Sequence, residues 1–393
     1  MKRKFIVSVA LVMTAALSLP VYVSANNSGG DSAKDSKIVA INETSIKSTS
    51  SNNSTAPSKL SLSLEDALSR VENSYNQIIL DNRYIEILDK QYQQAVAYEK
   101  TMKKNISNPM EEEDEKTLKL NVPVALYNLN NKKHEKEVNL KKAKVTIMNE
   151  YQSILAAQLN IDYINQEILK LQKETDSLDA RIKVGVAVES ERKQLEAAMA
   201  GSRARLSSAQ NGMKSSMISL KRDLGINLNT DVELTSKPIS YVKFDDSQLD
   251  ARIQSAVEKS YNIKALKQQI ENTQIECDIY DRHSNTNKDA TEITIETLKN
   301  QLEQTPNSIK VQLKTQYNAL KSLESLIKAD KLGIEAAEIS VDILQKSYKV
   351  GQKTYLDVLG AELQLSKAKN ALQQDIISYM TAVDSFKNSL ELQ

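Results

Sequence analysis

Two stretches of the chain carry apolar residues at a sustained seven-residue spacing. In the first, Leu140, Ile147, Ile154, Ile161 and Ile168 recur every seven positions, with Ala143, Ala157, Ile164, Leu171 and Leu178 as a companion row. Gly185 interrupts, and Met199, Leu206, Met213 and Leu220 begin a second series. The second stretch repeats the arrangement: Leu313, Leu320, Ile327, Ile334, Val341 and Tyr348 precede Gly351, and Val358, Leu365, Leu372, Tyr379 and Phe386 follow it. A seven-residue period keeps these side chains in one seam, which is buried only against other helices in a left-handed supercoil. Each stretch therefore predicts an antiparallel helical hairpin. Beyond residue 59 the only prolines are Pro109, Pro123, Pro238 and Pro306. An interior proline costs a helix about 3 kcal/mol, so the proline-free runs 124–237 and 307–393 permit very long helices, and the prolines are expected outside the seams. A helix from about 132 to 182 runs roughly 75 Å at ~1.5 Å per residue, longer than any compact catalytic domain requires.

The hairpins are copies. An offset of 166 carries Ile147, Ile154, Ile161 and Ile168 onto Leu313, Leu320, Ile327 and Ile334, and the KVG at 183–185 onto the KVG at 349–351. Two heptad frames and a turn in common indicate an internal duplication. Ahead of each hairpin lies an amphipathic segment, VENSYN at 71–76 and VEKSYN at 257–262, here offset by 186. The connection between short helix and long hairpin is thus 20 residues longer in the first copy.

Composition narrows the function classes. The 393 residues include 52 Lys plus Arg against 51 Asp plus Glu, a balance without the bulk positive field that recruits nucleic acid. Nine Gly and six Pro are too few for a loop-rich or all-β fold. Cys277 has no partner for a disulfide, and with His134 and His283 far from it in sequence no metal-ligand spacing exists. No histidine accompanies a serine or aspartate in a hydrolytic constellation, so an enzyme is not expected, and no cofactor or metal is implied.

At the start, basic MKRK precedes a 15-residue apolar run, and Val23 and Ala25 form a small-residue cleavage pattern. Residues 1–25 are read as a signal peptide rather than a membrane span, which needs ~20 apolar residues. Residues 26–59, rich in Ser, Asn, Thr and Gly, are read as an exported linker without a packed core. The remainder divides into two repeats, 60–237 and 238–393, with tips at 184–190 and 350–354.

The segment SYKVGQKTYLDVLGAELQLSKAKNALQQDIISYMTAVDSFKNSL resembles the last tip-and-helix segment of the TolC family of outer-membrane efflux proteins. RIKVGVAVESERKQLEAAMAGSRARLSSAQNGMKSSMISLKRDLGI resembles the equivalent part of that family's first repeat. LSLEDALSRVENSYN and, more loosely, LDARIQSAVEKSYN match its short L-x-x-A-L helices, so the resemblance runs from about residue 60 to the C-terminus. It implies a mainly all-α protomer of a helical barrel, two long coiled-coil hairpins with short equatorial helices and few or no strands. It further implies a homotrimer in the cell envelope, at the outer membrane, working with a membrane-fusion adaptor and an ABC or proton-driven pump.

By the same resemblance the adaptor-contact tips fall at Val184, Gly185, Val350 and Gly351. A tip-closing network falls at Tyr348 and Lys353 on one hairpin and Ser190 and Glu191 on the other. An entrance ring of carboxylates falls at Asp357, with Gly360 replacing the family's second acidic position. Read without the resemblance, the glycines are residues able to take positive φ at a turn, and the polar residues are solvated. The family's β-hairpin between short and long helices is poorly matched. LKLNVPVALY at 118–127 alternates like a strand and TEITIETL at 291–298 does so briefly, but the acidic run Glu111–Glu115 cannot face lipid. With no Trp and three Phe for an aromatic girdle, the barrel is expected to be reduced or missing. Two functions follow: an exit duct for export or efflux, or an envelope coiled-coil scaffold that kept the helices and lost the pore.

Overall fold

The computed structural model describes residues 59–104 and 110–392. The expectations of a signal peptide at 1–25 and a linker at 26–59 lie outside the described residues, Lys59 excepted. Among the described residues the chain is almost wholly helical. It runs β1 (Leu60–Leu62), α1 (Leu64–Ser74), α2 (Asn76–Met102), α3 (Glu112–Lys183), α4 (Glu189–Asp223), β2 (Val232–Leu234), α5 (Leu249–Lys259), α6 (Tyr261–Arg282), α7 (Lys288–Lys349) and α8 (Tyr355–Glu391). The two three-residue strands pair in parallel, Ser61 opposite Glu233.

Both heptad hairpins are present as α3–α4 and α7–α8. The seam residues Ile147, Ile154, Ile161, Leu313, Leu320 and Ile327 are buried, each contributing about 1.5–3 kcal/mol by leaving water. Halfway along each hairpin a short helix seats on the seam. Ala67 and Val71 of α1 pack with Ile147, Tyr151 and Leu220, while Ile253 and Val257 of α5 pack with Leu313, Leu320 and Phe386. A buried tyrosine ties down the irregular chain in each copy. Tyr151 Oη donates to the Leu62 carbonyl at 2.8 Å and accepts from Ser236 N at 3.0 Å, and Tyr379 Oη accepts from Phe244 N at 2.8 Å. Capping differs between the entry helices. Ser63 and Asp66 form a reciprocal capping box on α1, whereas α5 has no side-chain cap.

The copies correspond element by element. Leu64 and Leu249, which open α1 and α5, and Asn76 and Tyr261, which open α2 and α6, are each 185 residues apart. The VENSYN match is therefore one residue out of register with the fold, because Tyr75 and Ser260 cap the preceding helices at equivalent places. The surplus of the first copy is mostly helical: α2 has 27 residues against 22 in α6, and α3 has 72 against 62 in α7.

Three sequence expectations fail together in that region. The alternating segments 118–127 and 291–298 are helical, inside α3 and α7, and Pro123 and Pro306 lie within those helices rather than outside them. α3 also starts 20 residues earlier than expected, at Glu112, which extends it to roughly 110 Å. Packing decides the outcome. α2 lies along α3, and α6 along α7 and α3, so the lateral contacts offset the lost hydrogen bond at each proline. Wound into a helix, a period-two pattern cannot bury all its apolar residues. Val124, Leu126 and Ile293 accordingly face outward.

The elements are joined edge to edge as one layer. Along the tip half the order is α4, α3, α8, α7, and along the other half it is α2, α3, α6, α7. Asn370 Nδ2 donates to Asn160 Oδ1 at 2.7 Å across α3 and α8, and Lys170 pairs with Glu362 at 2.9 Å. At the far end Glu115 fastens α3 to the α6–α7 turn, pairing with Arg282 Nη2 at 2.7 Å and His283 Nε2 at 2.9 Å, with Lys119 at 2.7 Å on its own helix. Burial by itself raises the Glu115 carboxyl, but hydrogen bonds from Lys119, His283 and Arg282 outweigh it and hold the group at about 2. A depressed carboxyl stabilises the fold above its unfolded value of 4.5 and loses that contribution as pH falls toward about 2. Replacing Glu115 by Gln is expected to lower thermal stability at pH 7 and to flatten its decline between pH 4.5 and about 2, as measured by circular dichroism melts across that range.

Candidate functional site

The tips are built alike, and the turn chemistry explains why. α3 and α7 end in the same pair of hydrogen bonds: Gly185 N to Ile182 O and Val186 N to Arg181 O, Gly351 N to Tyr348 O and Gln352 N to Ser347 O, all at 2.9 Å. This is a Schellman ending, which requires its first residue past the cap to be left-handed, and both Gly185 and Gly351 have φ of +76°. The turn thrusts backbone and side chains into water. Val184, Val186 and Val350 are each about 70% exposed, at 73%, 70% and 69%, and Val188 is exposed beside them. Val186 and Val188 were not among the residues singled out from the sequence; the signal was a valine on every second position from 184 to 188.

Beyond the turns the copies diverge. Thr354 caps α8, its Oγ1 accepting from Asp357 N at 3.3 Å while Asp357 Oδ2 accepts from Thr354 N at 2.9 Å. These bonds, backbone first, hold the Asp357 carboxyl below the usual range, with Lys353 adding to the effect. Asp357 is therefore ionised and exposed while also capping its helix. At the equivalent place in the first copy stand Val188, which offers no cap, and Glu191. The duplication thus makes Glu191 and Asp357 counterparts, at the third position of α4 and of α8.

The four residues expected to close the tip are not hydrogen-bonded to one another within the chain. Ser190 and Lys353 are exposed, and Lys353 makes no ion pair among the described residues. Glu191 offers its backbone N to Val188 O. Tyr348 does reach the other hairpin, but its partner is Glu174 of α3, whose carboxylate oxygens accept from Tyr348 Oη at 2.9 and 3.0 Å. Around this bond lies a small inter-hairpin network. Tyr355 meets Tyr348 edge to face, with centroids 5.7 Å apart, and Glu362 accepts from Gln345 and pairs with Lys170. Burial, then the carboxylates Glu362 and Glu174, push Tyr355 up to about 12, so both phenols remain protonated donors at neutral pH. Leu359 seals the network from one side by packing with Leu171, Leu178, Leu195 and Met199 of the other hairpin. Glu174 carried no signal in the sequence, because its counterpart in the second copy is Ser340 and a lone glutamate on a long helix reads as solvated.

Residues 246–390 match the family model described as outer membrane efflux protein. The TolC-family resemblance holds for the second repeat by sequence and for both repeats by fold. Among solved structures, the outer membrane protein VceC of Vibrio cholerae superposes with a TM-score of 0.62 at 13% identity, covering 83% of this chain and 94% of its own. A membrane protein from Pseudomonas aeruginosa gives 0.65 at 11% identity, with 83% and 93% covered, and the open state of the Neisseria gonorrhoeae MtrE outer membrane channel gives 0.61 at 10%, with 83% and 88% covered. No curated protein matches the chain by sequence. Since the TolC-like tips rest on a left-handed glycine, an alanine there is strained by about 1–2 kcal/mol. In Gly351→Ala, amide exchange at residues 348–352 is expected to quicken about tenfold with the global melting temperature unchanged; unaltered exchange would show that this glycine does not hold the turn.

Proposed function

We propose that the chain is the exit duct of an efflux system in the cell envelope, at the outer membrane, assembled as a homotrimer that an adaptor protein engages at the tips and couples to a pump. The efflux-family match and the channel fold of the neighbours support an exit duct in general terms, and a family of efflux proteins rather than enzymes agrees with the absence of reactive constellations in the sequence. The trimer rests on one observation: the joint between α3 and α8 has unmatched copies at the two edges of the layer. Its polar pair, Asn160 with Asn370, corresponds after the 166-residue duplication to Leu326 on α7 and Ala204 on α4, which are both exposed. Along α7 the same face continues as Ser322, Leu326, Ala329, Gly333, Ala336 and Ser340, and along α4 as Ala197, Gly201, Ala204, Ser208, Asn211 and Ser215, every one exposed. An interior glycine costs a helix about 1 kcal/mol, yet a Cβ on Gly201 or Gly333 would meet nothing within 4 Å in this chain. Extending the α3–α8 register sets Gly201 opposite Ala329 and Gly333 opposite Ala197 of the next subunit, where small residues let backbones approach closely. Head-to-tail repetition of such a joint closes a ring.

At the tips the exposed valines offer an adaptor apolar surface flanking a turn whose carboxylates, Asp357 and Glu191, recur in each subunit. A ring of three or six carboxylates near a constriction favours cations. The scaffold reading draws its support from the helices that replace the family's strands at 112–127 and 288–298. The two readings part on a direct test. With Cys277 replaced by Ser, the pair Leu326→Cys and Ala204→Cys is expected to oxidise to covalent trimers, light scattering to give three copies, and deletion of the chain to raise ethidium accumulation in its host. A monomer that neither cross-links nor affects accumulation would exclude the duct.

A further inference from the structure

The companion heptad row is interrupted by an acid in each hairpin. On α3 it runs Ala143, Glu150, Ala157, Ile164, and on α7 it runs Ile309, Gln316, Leu323, Asp330. Among the described residues four buried side-chain oxygens have no hydrogen-bond partner, and three of them, Glu150 Oε2, Gln316 Oε1 and Asp330 Oδ2, stand on this row. Each acid faces another acid across its seam, within hydrogen-bonding reach: Glu150 of α3 meets Asp223 of α4, and Asp330 of α7 meets Asp375 of α8. The two pairs are the same kind of rung. Carried through the 166-residue offset, Asp330 and Asp375 fall on Ile164 and Ala209, each two heptads nearer the tip than Glu150 and Asp223, or about 21 Å along the helix. The fold needs neither acidic rung, because each has an uncharged counterpart in the other copy: Gln316 with Ser389 for the first, Ile164 with Ala209 for the second. Two carboxylates offer only acceptors to each other, so such a contact holds when one of them carries a proton.

The charged groups that bear on Glu150 are Asp223 and Arg222, both of α4. Arg222 Nε bonds Asp223 Oδ1 at 2.6 Å, which leaves the proton of this pair to Glu150. Burial, then Asp223, raises the Glu150 carboxyl to about 7, with Arg222 opposing. The junction of α1 and α2 adds the Tyr75 phenol, which burial and then the two carboxylates push up. Around the second pair Asp330 is the charged group that bears on Asp375, and burial, then Asp330, raises Asp375 to about 6. Lys331, next to Asp330 in sequence, lies over the Tyr241 ring, 4.8 Å from its centroid. α3 faces this stretch of α8 with Ala156, Ala157 and Asn160, all uncharged. We propose that the two rungs are acid-tightened clasps: a shared proton joins α3 to α4 at Glu150 and Asp223, and α7 to α8 at Asp330 and Asp375, and its loss sets like charges against each other and loosens both hairpins. A carboxyl raised by folding stabilises the fold below its unfolded value and loses that contribution as pH rises through its folded value. The window therefore runs from 3.8 to about 6 in the second hairpin and from 4.5 to about 7 in the first, opposite in sign to Glu115. The second clasp lies on the tip side of Leu320 and Phe386, where α5 seats, so its release frees the tip half of α7 and α8 and leaves their anchorage intact. In a duct this makes the tip half stiff in acid and compliant at neutral and alkaline pH.

Amide exchange of the full chain between pH 5 and pH 8, corrected for the chemical exchange rate, tests this. In wild type, exchange along the seams at residues 326–334 and 371–379 is expected to quicken about tenfold over that range. Asp330→Ile with Asp375→Ala installs the rung that the first copy carries, and the second hairpin is expected to lose the dependence while the first keeps its own. Glu150→Gln with Asp223→Ser installs the second copy's rung and gives the converse. Asp384 is also raised by burial, but Lys387 stands 3.9 Å away and no carboxyl faces it, so it adds a background common to all these chains. Wild-type pH dependence retained in both exchanged chains would overturn the proposal, and so would faster corrected exchange in acid. Asp375→Asn guards against variants that fold poorly, because its amide stands in for the shared proton. Its melting temperature by circular dichroism is expected to match wild type at pH 5 and exceed it at pH 8; a variant that melts no higher than wild type at pH 8 would equally overturn the clasp. These readouts lie within one chain, so their failure would leave the duct and its trimer standing.

Discussion

The seam between paired helices is the interaction on which everything else depends, and its geometry imposes a constraint. A heptad row buries one stripe of each helix against one neighbour, so four long helices laid side by side have three joints and two open edges. In this chain the joints are α4 with α3, α3 with α8, and α8 with α7, and the edges fall on α4 and α7. Because the second hairpin is a copy of the first, the residues of the middle joint have counterparts on both edges. In the proposed assembly the contact between Asn160 and Asn370 is the template for a joint between Leu326 on α7 and Ala204 on α4 of neighbouring subunits.

Most of the tip half was legible in the sequence. The rows from Ile147 to Ile168 and from Leu313 to Ile334, the KVG turns and the 166-residue offset fixed two hairpins, because heptad burial and a left-handed glycine are local signals that tertiary context rarely reverses. The other half was misread in an instructive way. Leu118 to Leu126 alternates, Pro123 interrupts, and both features argue against a helix when read alone. The helix forms nonetheless, since α2 supplies a long partner and a single proline costs less than that packing returns. The exposed Ile293 is the residue of this conflict, an apolar side chain whose pattern suits a sheet and whose backbone is a helix.

The candidate site was legible only in part, for a related reason. Turn residues such as Val184, Gly185, Val350 and Gly351 announce themselves by sequence, whereas a contact between hairpins depends on the supercoil phase of two helices at once. Tyr348 was identified but its bond to Glu174 was not, because nothing local distinguishes Glu174 from its solvated neighbours. Ser190 and Lys353 are exposed at the tips and Glu191 is half-buried, and none of the three bonds to another of them within the chain.

Electron microscopy of the purified full chain tests the central claim most directly, because it reads subunit number, ring closure and secondary structure at both ends in one reconstruction. The account predicts a threefold ring, hollow along its length, with α4 density lying on α7 of the adjacent subunit in the tip half. Isolated two-hairpin rods, or a ring in which α4 and α7 of neighbouring subunits do not meet, would contradict it.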